Sequence, residues 1–396
     1  MARRLFEATA LLLLSCALAI GVAELVLRQV LPRGYMIYQP ATSYSFVPVS
    51  EIMPGVSGES RFRTNRWGVR ADELLPTHRH RILAIGGSTT ECLYLDQTEM
   101  WTQLLQDALD RRDGTGSTWV GNAGMSARNS RHHLLALQYL PLDEMSIGVV
   151  VVLAGVNDLS IRLSQGEAFN PAALDDGPTR AGLMEETFRG LTYGRAHDSA
   201  LKRTAIWQAL RRAKAAWSRD DRGPGAQDAG GTIFETWRRH RRAASELRLQ
   251  LPDLSAAIEE YTRNLRSMHA TAKARGLRLI FMTQPTLWRA NLPQTLENLL
   301  WFGGVGDFQR LSGQPYYSAA ALRGGLQRYN QAMLDVCRTE AIECIDLAAI
   351  DEDTSLFYDD VHFNEAGARA VAGVMARHFA AAPPSLPGGV RSTSRP

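Results

Sequence analysis

The first pattern with chemical potential is a carboxylate three residues before a histidine, in Tyr358-Asp359-Asp360-Val361-His362. On a turn entering a helix, Asp359 can hold one imidazole nitrogen of His362 and leave the other free to take a proton. Such a base needs a hydroxyl to act on, and Gly86-Gly87-Ser88-Thr89-Thr90-Glu91 supplies one. A serine after two glycines, at a strand-to-helix turn, presents both its Oγ and its backbone N–H where a developing oxyanion is favoured. Two further segments carry groups that can serve the same oxyanion. Gly121-Asn122-Ala123-Gly124-Met125-Ser126 offers the backbone N–H of Gly124, with no side chain to block a ligand. Ala154-Gly155-Val156-Asn157-Asp158 offers the side-chain amide of Asn157. Each segment alone is ordinary turn or cap chemistry. Together they describe nucleophilic acyl transfer: Ser88, His362 and Asp359 as nucleophile, base and acid, with Ser88, Gly124 and Asn157 as oxyanion donors.

These residues must be carried to one place. Apolar runs at 82–85, 118–122, 147–153, 277–283 and 342–347 read as strands, and Val149 to Val152 is an unbroken valine run suited to a strand covered on both faces. Helical spacing fills 101–109, 131–140, 254–275, 322–338 and 365–379, with Gly276 as a stop. The alternation predicts an α/β, flavodoxin-like three-layer fold around a parallel sheet of five strands. In such sheets, sites form outside the carboxyl ends of the strands. The Ser, Gly and Asn segments each follow a strand, and the Asp-x-x-His lies beyond the fifth, before the last helix.

In this order, the segments resemble the four marker blocks of the SGNH (GDSL-like) serine hydrolase superfamily. Ser88, Gly124, Asn157 and His362 fill the four positions, with Asp359 three residues before the histidine. The resemblance covers about residues 81–160 and 254–380, and Phe62-Arg63-Thr64-Asn65-Arg66-Trp67-Gly68-Val69-Arg70 resembles a lead-in of membrane-anchored members. It implies an esterase working through an acyl-enzyme, without metal or cofactor, on an O-acylated (first choice, acetylated) carbohydrate or other small ester. An O-acetyltransferase acting on polysaccharide with the same triad is the alternative chemistry. A non-catalytic polysaccharide-binding or assembly component is the alternative class, and the full residue set argues against it. One position departs from the family: Gly87 stands where the first block usually has Asp. The acid comes from the last block, so the departure bears on support of the oxyanion loop and not on the nucleophile.

Composition sets the remaining bounds. Of 396 residues 45% are hydrophobic and 21% charged, enough apolar content for a substantial core. A formal charge of +3 without a basic stripe gives no reason to expect nucleic acid. The basic run Trp237-Arg238-Arg239-His240-Arg241-Arg242 reads as a solvated helix face. Arg3 and Arg4 precede an apolar run from Ala8 to Ala23, so residues 1–31 read as a single-pass inner-membrane anchor with the catalytic domain periplasmic. Cleavage after Ala19 or Ala23 would instead make them a signal peptide. Residues 32–80 read as an irregular or β-rich lead-in, 81–382 as the hydrolase domain with a partly helical insertion at about 160–252, and 383–396 as a disordered tail. Within the insertion, 220–231 reads as a flexible loop, and Trp207, Trp217 and Trp237 can stack on sugar rings or pack in the core. Asp158 and Asp360 read as turn or cap residues, with support of the catalytic residues as the alternative. Cys337 and Cys344 can form a bridge or remain two buried thiols. The sequence leaves the oligomeric state open.

Overall fold

The computed structural model describes residues 2–30, 35–188, 199, 201, 204–217 and 230–384. Its strands are β1 (Ser43–Phe46), β2 (Ser60–Arg63), β3 (His80–Gly86), β4 (Thr118–Gly124), β5 (Val149–Leu153), β6 (Leu247–Arg248), β7 (Arg278–Met282), β8 (Tyr316–Tyr317) and β9 (Glu343–Ile345). Its α-helices are α1 (Ala2–Val30), α2 (Ser88–Glu91), α3 (Trp101–Asp113), α4 (Ser130–Tyr139), α5 (Val156–Gln165), α6 (Gly177–Thr187), α7 (Ala205–Trp217), α8 (Thr232–Arg242), α9 (Ser255–Ala274), α10 (Gln294–Glu297), α11 (Ala319–Glu340) and α12 (Glu365–Ala381).

Five strands form one parallel sheet in the order β4-β3-β5-β7-β9. Every residue of β5 is buried, because helices cover both faces and leave no room for polar alternation. On one side α12 packs on α3; on the other α4, α9, α11 and α5 pack together. Strand order reverses at β3 and β5, the switch point where a crevice opens beyond the strand ends. Ser88 follows β3 directly, and Asn157 lies in the first turn of α5 after β5. The α/β fold read from the apolar runs is therefore the one observed, with most helices a few residues longer than their spacing marked. Cys337, near the end of α11, and Cys344, in β9, are joined by a disulfide.

The lead-in does more than connect. β1 and β2 pair antiparallel, and Arg70 then exchanges backbone hydrogen bonds with Asn122 along the open edge of β4. The Arg70 side chain is wholly buried. It donates to the carbonyls of Glu91 (2.6 Å), Cys92 (2.8 Å), Leu95 (2.7 Å) and Arg61 (3.3 Å), and its guanidinium lies over the Phe62 ring. The chain leaving α2 turns at Cys92, whose φ is 52°, so Arg70 satisfies carbonyls that the short helix cannot. The planar, fixed charge of arginine suits this multi-carbonyl role better than lysine.

Helix α1 stands apart from the sheet. Its apolar window, Thr9–Arg28, is long enough to cross a bilayer and is unburied by the rest of the protein. The tail from 385 onward and most of the 220–231 loop lie outside the described residues.

Replacing Arg70 by Ala removes a donor from four carbonyls, of which those of Glu91 and Leu95 are buried and Cys92 O keeps the Leu95 N–H. Urea unfolding is expected to show a loss of about 3 kcal/mol, since each unsatisfied buried group costs about 1–3 kcal/mol.

Candidate active site

The loop between β9 and α12 returns across the sheet to Ser88. A Phe357–Phe363 bridge closes this loop tightly, and Tyr358 N–H donates to the His362 carbonyl. Asn364 caps α12 by accepting from Gly367 N–H. At the loop's centre Asp359 is fully buried. Its carboxylate lies 2.7 Å and 3.0 Å, oxygen by oxygen, from Nδ1 of His362. Because a carboxylate only accepts, the proton on that edge of the ring sits on Nδ1. Nε2 is then the acceptor, and Ser88 Oγ lies 2.6 Å from it. A serine so placed can pass its proton to imidazole as it attacks a carbonyl carbon.

Asp359 is held by more than its histidine. Oδ1 accepts the N–H groups of Val361 (3.0 Å) and His362 (2.9 Å), and Oδ2 accepts Trp301 Nε1–H (2.8 Å). Burial opposes its charge, but the His362 charge and these donors outweigh burial and hold its pKa below the usual carboxylate range. Burial likewise opposes imidazolium at His362. The Asp359 charge and hydrogen bond overcome it, and the His362 pKa is raised above its ordinary 6.5.

Asp360, next in the chain, is not a turn or cap residue. It accepts Trp288 Nε1–H (2.6 Å) and the N–H groups of Trp301 (2.7 Å) and Phe302 (3.2 Å). Burial first and the Asp359 charge second push its pKa up to about 6. Asp158 meets the expectation better: it accepts from Ser130 N–H at the start of α4 and from Ser130 Oγ–H. Burial pushes its pKa up to about 7.

Only part of the basic run on α8 is a solvated face: Arg239 and Arg242 are exposed, but Arg238 and Arg241 turn inward. Arg238 is buried and donates to the carbonyls of Ile52, Leu299 and Tyr358, the last adjacent to Asp359. Arg241 donates to Phe302 O and Tyr317 O. Loops without regular structure need donors for their carbonyls, and two arginines on one helix supply them.

The oxyanion assignment needs one correction. The N–H of Gly124 is spent on Asn122 Oδ1 at 2.9 Å, and Gly124 does not line the cleft. Its lack of a side chain serves packing, since a Cβ there would lie 2.4 Å from the backbone nitrogen of Glu91. From this loop it is Ala127, in the left-handed region at φ 62°, that lines the cleft with Ser88 and Asn157. Asn157 Nδ2 donates one hydrogen to Arg128 O at 2.8 Å and has a second to offer. The same contact explains Gly87: a Cβ at that position would lie 2.4 Å from Asn157 Nδ2. The departure from Gly-Asp-Ser thus clears the space that the amide occupies.

Glu91, three residues after Ser88, holds this loop in place. One carboxylate oxygen lies 2.6 Å from the Tyr38 hydroxyl, and the other accepts from both the N–H (2.8 Å) and the hydroxyl of Ser126. Asn122 Nδ2 donates to Thr90 O at 2.5 Å, so β4, α2 and the loop before α4 are locked together.

A cleft of about 750 Å³ opens over Ser88 and His362. Its lining includes an aromatic cluster of Phe234, Trp237, Trp301 and Phe308, and polar side chains of Asn129, His132, Ser160, Thr179 and Glu186. The Trp237 and Trp301 rings pack against each other tilted, 4.5 Å between ring centres and 38° between planes. Trp207 does not line the cleft, and the Trp217 side chain is outside the described residues. Much of the wall comes from the segment following Asn157, through α5, α6 and α8. Among the described residues no group of three His, Cys, Asp or Glu side chains is placed to hold a metal ion.

Residues 84–370 match the GDSL-like Lipase/Acylhydrolase family. The chain belongs to that family. It is an ester hydrolase, and other GDSL-like or esterase folds resemble it at low identity. An acetylxylan esterase of Geobacillus stearothermophilus, solved as a catalytic mutant, is 13% identical over 78% of this chain and 96% of its own, with a TM-score of 0.41. The acetyl xylan esterase AlAXEase is 12% identical over 75% and 98%, at 0.40. A lipolytic protein of the G-D-S-L family from Desulfitobacterium hafniense is 10% identical over 75% and 98%, at 0.37. No curated protein matches the chain.

Two outcomes follow for this GDSL-like hydrolase. Its kcat/KM is expected to fall on the acid side through a pKa above 6.5, because His362 must be neutral to accept a proton and Asp359 keeps it charged to higher pH. In Asp359→Asn the limb is expected to move to lower pH, as burial still opposes the imidazolium and only the weaker pull of Asp360 and Glu91 remains against it, and kcat to drop about 10⁴-fold; a pH–rate series on both proteins checks this. Glu91→Ala is expected to lower kcat about 10- to 100-fold with KM within about threefold, and Glu91→Gln to recover most of the loss, because the oxyanion loop and not the substrate loses its support. Steady-state kinetics on the folded variants decides it.

Proposed function

We propose that this hydrolase removes O-acyl groups, acetyl foremost, from a carbohydrate of the cell envelope, with Ser88 as nucleophile, His362 as general base and acid, and Asp359 as its orienting partner. The observation that carries this reading is the 2.6 Å contact between Ser88 Oγ and His362 Nε2, backed by a buried Asp359 on the opposite ring nitrogen. Ser88 Oγ attacks the ester carbonyl as its proton passes to Nε2. The oxyanion is received by the N–H groups of Ser88 and Ala127 and the free amide hydrogen of Asn157. Collapse expels the sugar hydroxyl, which takes the proton back from His362. Water, deprotonated by the same nitrogen, then attacks the acyl-enzyme and releases acetate and free Ser88.

The cleft supports a sugar substrate. It is far larger than an acetyl group, and its lining combines aromatic rings with polar side chains, the combination that stacks on a pyranose face and bonds its hydroxyls. Trp237 is the ring best placed for that stacking. Chain organisation follows the same reading: an anchor over 1–31, a lead-in over 32–80, and a hydrolase domain over 81–382 whose insertion at about 160–252 builds the cleft wall. The anchor is read as retained in the inner membrane with the domain periplasmic. This is supported by Glu24, whose carboxylate receives the N–H groups of Ala205 and Ile206 at the start of α7 and so ties α1 to the domain.

The test uses the full chain in detergent with p-nitrophenyl acetate, beside Ser88→Ala and His362→Ala, followed by acetate release from an acetylated polysaccharide. The account expects turnover in the parent, lost by at least about 10³-fold in both variants. A folded parent with no turnover, or a Ser88→Ala protein that keeps it, contradicts the assignment. Acetyl appearing on an added sugar in place of free acetate would make the enzyme a transferase.

A further inference from the structure

Helix α7 buries a polar side chain and leaves apolar ones exposed. At helical spacing Ile206, Leu210 and Ala213 fall on one side of α7, and Gln208 falls on the other. In the fold it is polar Gln208 that is buried, at 1% exposure, while Leu210 is 60% exposed and Ala213 is also exposed. An uncovered apolar stripe of this kind costs free energy in water and marks a surface made for another phase.

The neighbour of α7 says which phase. It packs against α1, whose leucines are likewise uncovered, with Leu14 at 68% and Leu25 at 65%. Glu24 joins the two helices: its carboxylate accepts from Ala205 N–H at 2.8 Å, Ile206 N–H at 3.0 Å and Arg28 Nε–H at 2.8 Å. Glu24 lies one turn before the end of the apolar window, where a spanning helix meets the headgroups. An unpaired glutamate there would be costly; capping α7 and pairing with Arg28 satisfies it. The sequence 201–217 also carries Lys202, Arg203, Arg211, Arg212 and Lys214 and no acidic residue.

We propose that α7 is an interfacial helix, lying in the boundary of the bilayer that α1 crosses, with its Leu210 side among the acyl chains, in a stretch of sequence whose positive charge suits anionic phosphate headgroups. This rests on α1 being a retained span. The span and α7 together hold the domain at two points. Because α6 and α8, on either side of α7 in the chain, both line the cleft, this attachment sets how the cleft faces the membrane.

The test places an environment-sensitive nitrobenzoxadiazole label at Leu210→Cys in the full chain, reconstituted in vesicles of phosphatidylcholine and phosphatidylglycerol. Unsubstituted protein corrects for native thiols, and Arg338→Cys in α11 serves as the water-exposed control. Label at position 210 is expected to emit to the blue of the control and to lose about half its emission to shallow acyl-chain nitroxides, as an interfacial site does. Emission like the control, quenched by iodide and untouched by nitroxide lipid, overturns the proposal. A blue-shifted label that neither quencher reaches also overturns it, because protein and not lipid then covers the stripe. Carbonate extraction separates the two premises. If the chain washes off the vesicles, the retained span has failed; if it stays while position 210 is wet, only the interfacial helix has.

Discussion

Two adjacent carboxylates buried side by side are the constraint around which this protein is arranged. Asp359 and Asp360 are both fully buried, and a pair of charges that close is costly in a low-dielectric interior unless donors surround it. The surroundings supply them. Trp301 gives its indole N–H to Asp359 and its backbone N–H to Asp360, Trp288 gives its indole to Asp360, and the positive charges of Arg238 and Arg241 stand nearby. The donors are divided unequally. Asp359 has His362 and is held low, whereas Asp360 bears its neighbour's charge and rises to about 6. Asp359 is thus free to hold the His362 imidazole while Asp360 fixes the aromatic loop behind it.

The opposite side of the cleft is held by a second buried network, built from the start of the chain. Tyr38 and Arg70 reach the far end of the nucleophile helix through Glu91 and its following carbonyls. The lead-in also pairs with the edge of β4 at Asn122, satisfying backbone groups there that would otherwise be unpaired. Ser88 is therefore fixed between two frameworks, one from the lead-in and one from the C-terminal loop, and His362 is stacked against Tyr358 with the Phe234 edge beside it. Such preorganisation is what lets donors act on a developing charge without first having to move.

The five sheet strands were legible because each is a short apolar run, and the Ser88, Asn157, Asp359 and His362 segments because each follows a strand or precedes a helix at a marked position. What was not legible depends on long-range partners. Trp301 is 58 residues from the carboxylate it holds, with no local pattern to announce it. Arg238 and Arg241 look like surface charge until the carbonyls of loops near 299–302 and 358 are seen to need them. Gly124 and Ala127 changed places for a conformational reason: glycine signals backbone approach, and the approach was by α2, while an alanine at φ 62° carries no sign of it in the sequence. The uncovered stripe of α7 was hidden for the opposite reason, since periodicity shows that a helix has two faces but not which one turns inward.

The central claim is that Ser88 is made nucleophilic by His362. It is tested most directly by reacting the full chain with a fluorophosphonate and locating the adduct by peptide mass mapping across pH. The account predicts a single adduct on Ser88, formed at a rate that rises with pH through a value above 6.5 and is lost in His362→Ala. An adduct on another serine, or labelling of Ser88 that is indifferent to His362, would contradict it.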